Sequence, residues 1–214
     1  MQSAHIELIT VSRQFGAGGS ELARKIGERL NWPVLDDEVA CRCAKRLHLD
    51  TAAVQRLREH SPTLLARLSS ALLVAPPEAP GIDTTHLLRV DAMAEAALES
   101  IMEAAKSLPL IVVGFGTQCM FADRADALHV RLVAPMTTRV ERLHARYGWD
   151  ATNAATRARR VDEDRRRYVQ RYFHRDVNDP LLYDVQINTG RTTLDEAASM
   201  IEQLVHVEQH AAAG

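Results

Sequence analysis

Lysine is scarce in this chain of 214 residues: Lys25, Lys45 and Lys106 are the only three, and every other basic residue is arginine. Cysteine is equally thin. Cys41, Cys43 and Cys119 make an odd number with no C-x-x-C pair, which excludes a disulfide framework and points to a reducing compartment. No stretch approaches 18 apolar residues, and Met1–His5 carries no basic cluster leading into an apolar run, so neither a membrane span nor a secretory signal is expected. An excess of one charge is also missing. The 26 Lys+Arg against 28 Asp+Glu leave a net charge of −2, too little to draw the chain as a whole onto nucleic acid or an anionic membrane. The expectation is a cytoplasmic protein with neither as partner. What remains is ordinary globular composition, 46% hydrophobic and 25% charged, in a chain long enough to bury a sizeable core.

Short apolar runs alternate with amphipathic stretches. Glu7–Ser12 reads as a β-branched strand ending in a glycine-rich stretch, and a helix is expected from about Ser20 to Leu30, with Leu22, Ala23, Ile26 and Leu30 on one face. Asn31-Trp32-Pro33 stops it, and Pro33–Asp36 reads as a second strand. Asp37 to His60 reads as two helices, Ser61–Ile82 as a loop broken by prolines and a glycine, and Asp83–Ser107 as a long amphipathic helix. The apolar run Leu110–Gly114 suits the centre of a parallel sheet, and Leu128–Val133 is a fourth strand. Helices follow at about Thr137–Tyr147 and Thr152–Phe173, then a short strand at Asp184–Asn188 and a last helix from about Leu194. Such alternation implies an α/β fold with a doubly wound parallel sheet.

Between the first strand and first helix lies Ser12-Arg13-Gln14-Phe15-Gly16-Ala17-Gly18-Gly19-Ser20. Backbone N–H groups and a helix N-terminus together bind phosphate at this position. Set against G-x-x-x-x-G-K-[ST], the loop puts Ser20 at the Mg²⁺-ligating hydroxyl, Arg13 where the first glycine belongs and Gly19 where lysine is expected. Arg13 is the candidate to replace that lysine, because a planar guanidinium holds phosphate oxygens in a bidentate fork; the alternative is a surface arginine paired with a carboxylate. Ser20 has a second, compatible reading as a helix N-cap.

The run Ile9–Ser20 resembles the opening of the cytidylate kinase-like family, a branch of the P-loop nucleoside monophosphate kinases. The likeness continues, in order and spacing, through Val112–Gly116, His129–Pro135 and Asp179–Thr189. It implies a P-loop NTPase-type three-layer α/β/α fold with a central five-stranded parallel sheet and a mobile helical lid. Residues 1–214 would form one such domain, with 37–107 as a helical insertion on the acceptor side and 150–180 as an arginine-rich lid. It further implies ATP with Mg²⁺ as cofactor. Ser12, Arg13, Gly16, Ala17, Gly18, Gly19 and Ser20 would surround the ATP phosphates, Ser20 would hold the Mg²⁺, and a small phosphate acceptor, a nucleoside monophosphate, would bind on the far side.

Leu35–Arg42 can be laid on the L-D-S-G-x-x-Y-R segment of cytidylate kinases. Asp36 and Arg42 then keep their places as acceptor-binding residues, whereas Asp37-Glu38 and Cys41 depart from the pattern. A carboxylate at the end of a strand beside a phosphate loop can orient Mg²⁺ through water or accept the attacking hydroxyl's proton; Asp36-Asp37 can also simply cap a helix. Phe115 stands where the resemblance implies an arginine between Gly114 and Gly116.

Eight arginines, Arg157, Arg159, Arg160, Arg165, Arg166, Arg167, Arg171 and Arg175, crowd the lid segment, and with Asp162, Glu163 and Asp164 counted the local charge is about +5. Arg160, Arg167, Arg171 and Arg175 fall at i, i+7, i+11 and i+15, so a helix lasting that far turns a basic face toward the phosphates; Arg167, Arg171 and Arg175 are the expected lid residues. Asp176 and Asp179 are read as holding these arginines, Pro180 as ending the helix, and Asn188-Thr189-Gly190 as either an edge for adenine or a plain turn. His206 and His210 stand at i, i+4 with no third ligand beside them, so no structural metal is assigned.

The expectation is therefore an ATP-dependent phosphotransferase of the nucleoside monophosphate kinase type, acting on CMP, dCMP or another small acceptor, with Arg13, Asp36, Arg167, Arg171 and Arg175 as its catalytic residues. A nucleotide-binding regulatory protein with weak or no turnover is the competing reading, carried by Gly19, Phe115 and the altered acceptor segment. The helix over Asp83–Ser107 is open to two roles, a homodimer contact or an acceptor-side cap.

Overall fold

The computed structural model describes residues 5–36, 101–102, 105–106 and 109–212. The chain divides into two compact units, residues 1–34 with 109–214 and residues 35–108. In the second unit Leu35 and Asp36 are strand residues, Ile101 and Met102 are helical, and Ala105 and Lys106 already form a turn where the helix was expected to run to Ser107. The helices expected over Asp37–His60, the loop over Ser61–Ile82 and most of the Asp83–Ser107 helix lie outside the described residues.

Five strands form one parallel sheet: β1 (Leu8–Arg13), β2 (Val34–Asp36), β3 (Leu110–Val113), β4 (Ala127–Val133) and β5 (Val185–Asn188), in the order β2-β3-β1-β4-β5. β1 is central, pairing in parallel with β3 from Leu8↔Leu110 to Val11↔Val113 and with β4 from Leu8↔Ala127 to Arg13↔Leu132. All six of its residues are buried, as an apolar strand covered on both faces requires. Around the sheet lie α1 (Gly19–Leu30), the short α2 (Thr117–Met120), α3 (Met136–Tyr147), α4 (Ala151–Phe173) and α5 (Leu194–Ala212). None of the described helices is long and apolar enough to cross a membrane.

The alternation of side chains along β1 separates two different environments. Ile9 and Val11 join Val130 and Leu132 of β4 in a dry core against Leu22 and Ile26 of α1 and Ala197 and Ile201 of α5. Thr10 meets His129 of β4, with Thr10 Oγ1 and His129 Nδ1 2.7 Å apart. His129 Nε2 lies 3.2 Å from the Phe121 carbonyl, which can only accept. Nε2 therefore carries the proton, and Nδ1 accepts from the threonine hydroxyl. One step along, Ser12 faces Arg131, a buried guanidinium that donates to the Val177 carbonyl, to Tyr183 Oη at 2.8 Å and to Asn178 Oδ1 at 2.8 Å.

Element ends follow local chemistry. Gly27 lets the chain double back from α1 into β2, since a Cβ there would stand 2.6 Å from Val34 Cγ2. β3 stops at Val113, one residue earlier than expected, because Gly114, Phe115 and Gly116 adopt φ of +88°, +57° and +69° and turn the chain into α2, an element the sequence did not announce. α4 ends at Phe173, where His174 closes it in the left-handed region at φ +54°. Pro180 therefore does not end that helix. It opens a 3₁₀ turn, Pro180–Leu182, capped by Asp179, whose Oδ1 accepts from the Leu181 N–H at 2.9 Å.

Burial pushes the His129 imidazole below its ordinary value of 6.5, against the opposing pull of Asp184 and the Phe121 carbonyl. The unfolded chain then binds more protons than the folded one just below pH 6.5, so stability is complete above that value and falls as pH drops through it. Urea midpoints measured from pH 7.5 to 5 are expected to decline for the wild type, and His129→Gln to flatten part of that decline.

Candidate functional site

A trans peptide places its N–H and C=O on opposite sides, so a carbonyl held outward turns the following amide inward. The loop from Arg13 to Ser20 is built on this relation. The Phe15 carbonyl accepts from Arg139 Nε at 2.7 Å, the Ala17 carbonyl from Thr189 Oγ1 at 2.8 Å and Arg142 Nη1 at 3.3 Å, and the Gly18 carbonyl from the Leu22 N–H at 2.9 Å. The following amides, those of Gly16, Gly18 and Gly19, have no acceptor among the described residues, and neither does that of Ser20. Gly16 and Gly18 reach this geometry at φ +84° and +92°. With the positive end of α1 behind them, these amides form an anion cradle.

Two side chains complete the cradle. Ser20 Oγ, in the first turn of α1, is buried and has no hydrogen-bond partner among the described residues, although hydroxyls at such positions ordinarily find one. The N-cap reading therefore does not describe it: the cap position is Gly18, with no side-chain bond. Arg13 is 7% exposed and so is not a surface residue. Its stem lies directly against Gly19, where a Cβ would stand 2.7 Å from Arg13 Cγ and 3.1 Å from both Cβ and Cδ. The arginine stem thus fills the space from which a lysine side chain at position 19 would have to start.

The other expected site residues divide. Gly16, Ala17 and Gly18 lie in the turn after β1, and Gly19 and Ser20 open α1. Ser12 points the opposite way, its hydroxyl accepting from Tyr183 Oη at 3.2 Å, while burial pushes the phenol's pKa upward. Asp36 is the last residue of β2, and Arg42 lies outside the described residues. The basic stripe does not reach the loop. Arg167 is 69% exposed at its side chain and pairs with Glu163 at 3.0 Å; Arg166, and then Arg167, hold that carboxyl down to about 2. Arg171 is exposed, with its guanidinium 5.8 Å from the Tyr172 ring centre. Arg175 lies beyond the end of α4, which ends two residues earlier. Asp176 accepts from the Asn178 N–H at 2.9 Å and so, like Asp179, shapes a turn. The 188–190 turn is anything but plain, since Thr189 ties it to the loop at Ala17.

The residues that do hold the loop were missed. Arg165 donates to the Arg13 carbonyl at 3.3 Å and lies 5.8 Å from the centre of the Phe15 ring. Arg142 also binds Thr189 Oγ1 at 2.9 Å and the Thr189 carbonyl at 2.8 Å. A signal existed for Arg139. It falls within the apolar stripe Met136, Val140 and Leu143 of α3, and a charge in such a stripe marks a buried ion pair. Nothing in the local pattern separates Arg165 from its neighbours Arg166 and Arg167. α4 also touches the turn after β3: the Tyr168 hydroxyl donates to the Phe115 carbonyl at 3.4 Å, and the Phe173 ring presses on Gly116, where a Cβ would lie 2.3 Å from it.

Thr189→Val removes the hydroxyl that faces the Ala17 carbonyl while keeping the side chain's shape. The expected cost in urea unfolding is about 1–3 kcal/mol, the ordinary cost of a buried hydrogen bond lost from one side.

The profile of the cytidylate kinase-like family matches residues 8–191, from the first residue of β1 to just past the Thr189 turn. Among curated proteins none matches the sequence. Solved structures share the fold at low identity. An uncharacterized protein from Eubacterium ventriosum is 19% identical with a TM-score of 0.67, covering 93% of this chain and 98% of that one. Shikimate kinase from Bacteroides thetaiotaomicron is 15% identical with a TM-score of 0.50, covering 93% and 98%. YorR from Bacillus subtilis, in complex with phosphorylated GDP, is 16% identical with a TM-score of 0.50, covering 95% and 98%. With the P-loop kinase fold, a glycine loop that turns its amides inward, and a family match spanning every described strand, the chain belongs to the cytidylate kinase-like family.

Proposed function

We propose that the chain is an ATP-dependent phosphotransferase of the nucleoside monophosphate kinase type, passing the γ-phosphoryl of ATP to a small acceptor for which CMP and dCMP are the first candidates. The observation that carries this reading is the hydrogen-bond state of the loop. Its Phe15, Ala17 and Gly18 carbonyls are engaged outward, and among the described residues its Gly16, Gly18, Gly19 and Ser20 amides and the buried Ser20 hydroxyl have no partner. A polyphosphate supplies the acceptors those amides lack.

Ser20 is the residue that would hold Mg²⁺, since a buried hydroxyl without a partner at the start of a phosphate-binding helix is the hard oxygen donor such an ion takes. The ion would neutralise charge on the β- and γ-phosphates. The remaining work falls to the chain's own groups. Loop amides fix the β-phosphate, and Arg13, seated on Gly19, supplies the charge a lysine would supply. Arg165, which donates to the Arg13 carbonyl, is the arginine of the lid segment proposed to approach the transferred group when ATP is bound. Asp36 and Arg42 remain the proposed acceptor contacts, on the strength of the sequence pattern alone. The lid over 150–180 and the acceptor-side insertion over 37–107 are likewise part of this proposal.

A phosphoryl-transfer assay with Mg²⁺·ATP and a panel of CMP, dCMP, UMP, AMP and GMP tests the reading, with diphosphate formation as the readout. Product from one acceptor is expected. Arg13→Ala and Ser20→Ala are each expected to lower kcat/KM by about 10²–10³, the range for removing one preorganised charge or donor. Gly19→Lys should not help, because its side chain collides with the Arg13 stem. ATP binding without product from any acceptor would favour the regulatory reading.

A further inference from the structure

One loop residue is gripped on both sides by a pair of charges that grip each other. Asp162, midway along α4, accepts the Phe15 N–H on Oδ1 at 2.7 Å and Arg139 Nη2 on Oδ2. Arg139, from the first turn of α3, donates through Nε to the Phe15 carbonyl at 2.7 Å. The Arg139 side chain is 4% exposed and that of Asp162 27%, so the pair is largely withdrawn from water. We propose that Asp162 is a positioning residue of the phosphate site: from the lid helix it fixes the Phe15 peptide and the Arg139 guanidinium together, and thereby sets the affinity for the ATP phosphates. This rests on the phosphate-loop reading given above.

The geometry explains how a carboxylate that faces away from the cradle acts on it. The Arg139 bond to the Phe15 carbonyl orients the peptide whose N–H belongs to Gly16, the first open amide of the cradle. Arg139 has several donors and rotatable bonds, and Asp162 is the group that fixes which nitrogen meets Phe15. By taking the Phe15 N–H itself, Asp162 also fixes the preceding peptide, so both flanks of Phe15 are set. Its negative charge is balanced by Arg139 and does not oppose an incoming phosphate.

The same helix carries a second consequence. Three residues after Asp162, Arg165 reaches the Arg13 carbonyl, and further along Tyr168 and Phe173 touch the 114–116 turn that follows β3. A rigid α4 therefore ties the phosphate loop to the turn at the end of the neighbouring strand. In this structure the helix of the lid segment braces the loop.

The test is calorimetric binding of a non-hydrolysable ATP analogue with Mg²⁺ to the full chain, alongside melting curves, for wild type, Asp162→Asn, Asp162→Glu and the pair Arg139→Gln and Arg139→Gln/Asp162→Asn. Asp162→Asn keeps the acceptor for Phe15 but presents a donor to Arg139, and is expected to lower the melting temperature and to weaken binding by about tenfold or more at a temperature where the variant is still fully folded. Asp162→Glu, able to reach both partners, recovers most of that loss. With Arg139 already replaced, the further change Asp162→Asn costs less than about twofold. Binding by Asp162→Asn as tight as or tighter than wild type, or a loss that merely follows the melting temperature and is not recovered by glutamate, overturns the proposal. If the wild type itself takes up no analogue, the phosphate-loop reading fails and this proposal fails with it.

Discussion

A loop that offers its N–H groups to an anion must dispose of its carbonyl oxygens elsewhere, and the residues that receive them determine much of what surrounds the sheet. Between Arg13 and Gly18 the outward acceptors are met by Arg165, Arg139, Arg142 and Thr189, and by the Leu22 amide of the loop's own helix. The arginines come from α3 and α4 and the threonine from the turn after β5. Two helices and a strand end are thereby recruited to one segment of about eight residues. The demand is steep because a buried peptide group left unpaired costs about 1–3 kcal/mol, and this loop cannot pair its amides without filling its own cradle.

Arginine suits the task for a geometric reason. A guanidinium offers several donors in a fixed plane, so Arg139 serves a carbonyl and a carboxylate at once and Arg142 serves two carbonyls and a hydroxyl. An ammonium of the same charge would meet these partners with less geometric control. The other face of the sheet uses the same device. Arg131 is buried at the end of β4 among a carbonyl, a phenol and an amide, and none of its partners among the described residues is a carboxylate.

Much of this was legible before any coordinates. The strands, the order of the helices and the place of the phosphate loop follow from runs such as Leu8–Val11 and Leu110–Val113, whose apolar character admits only a central position, and from glycines that punctuate them. The proposal that Arg13 replaces the lysine comes from the pattern; the structure adds that the Arg13 stem lies against Gly19. What escaped were choices made in three dimensions. The stripe of Arg160, Arg167 and Arg171 satisfies helical spacing but faces solvent, because α4 is oriented by Asp162, Arg165 and Val169 instead. Local charge could not show this, since eight arginines in nineteen residues look alike until a helix is docked. The end of α4 at Phe173 was read correctly, but its cause was not: Pro180 drew attention as a helix breaker, while the helix closes on the left-handed backbone of His174.

The loop carries an arginine and no lysine, and this has a consequence apart from the proposed phosphate binding. A guanidinium stays protonated through the physiological range and is a poor nucleophile, whereas a lysine amine in a nucleotide site can be acylated or captured as an imine. The nearest amine in sequence, that of Lys25, is engaged with Asp195 of α5 at 2.9 Å, on the outer side of α1. Reagents that find ATP sites through a reactive amine therefore meet none in this loop. A dicarbonyl that condenses with arginine is the chemistry that would mark it instead.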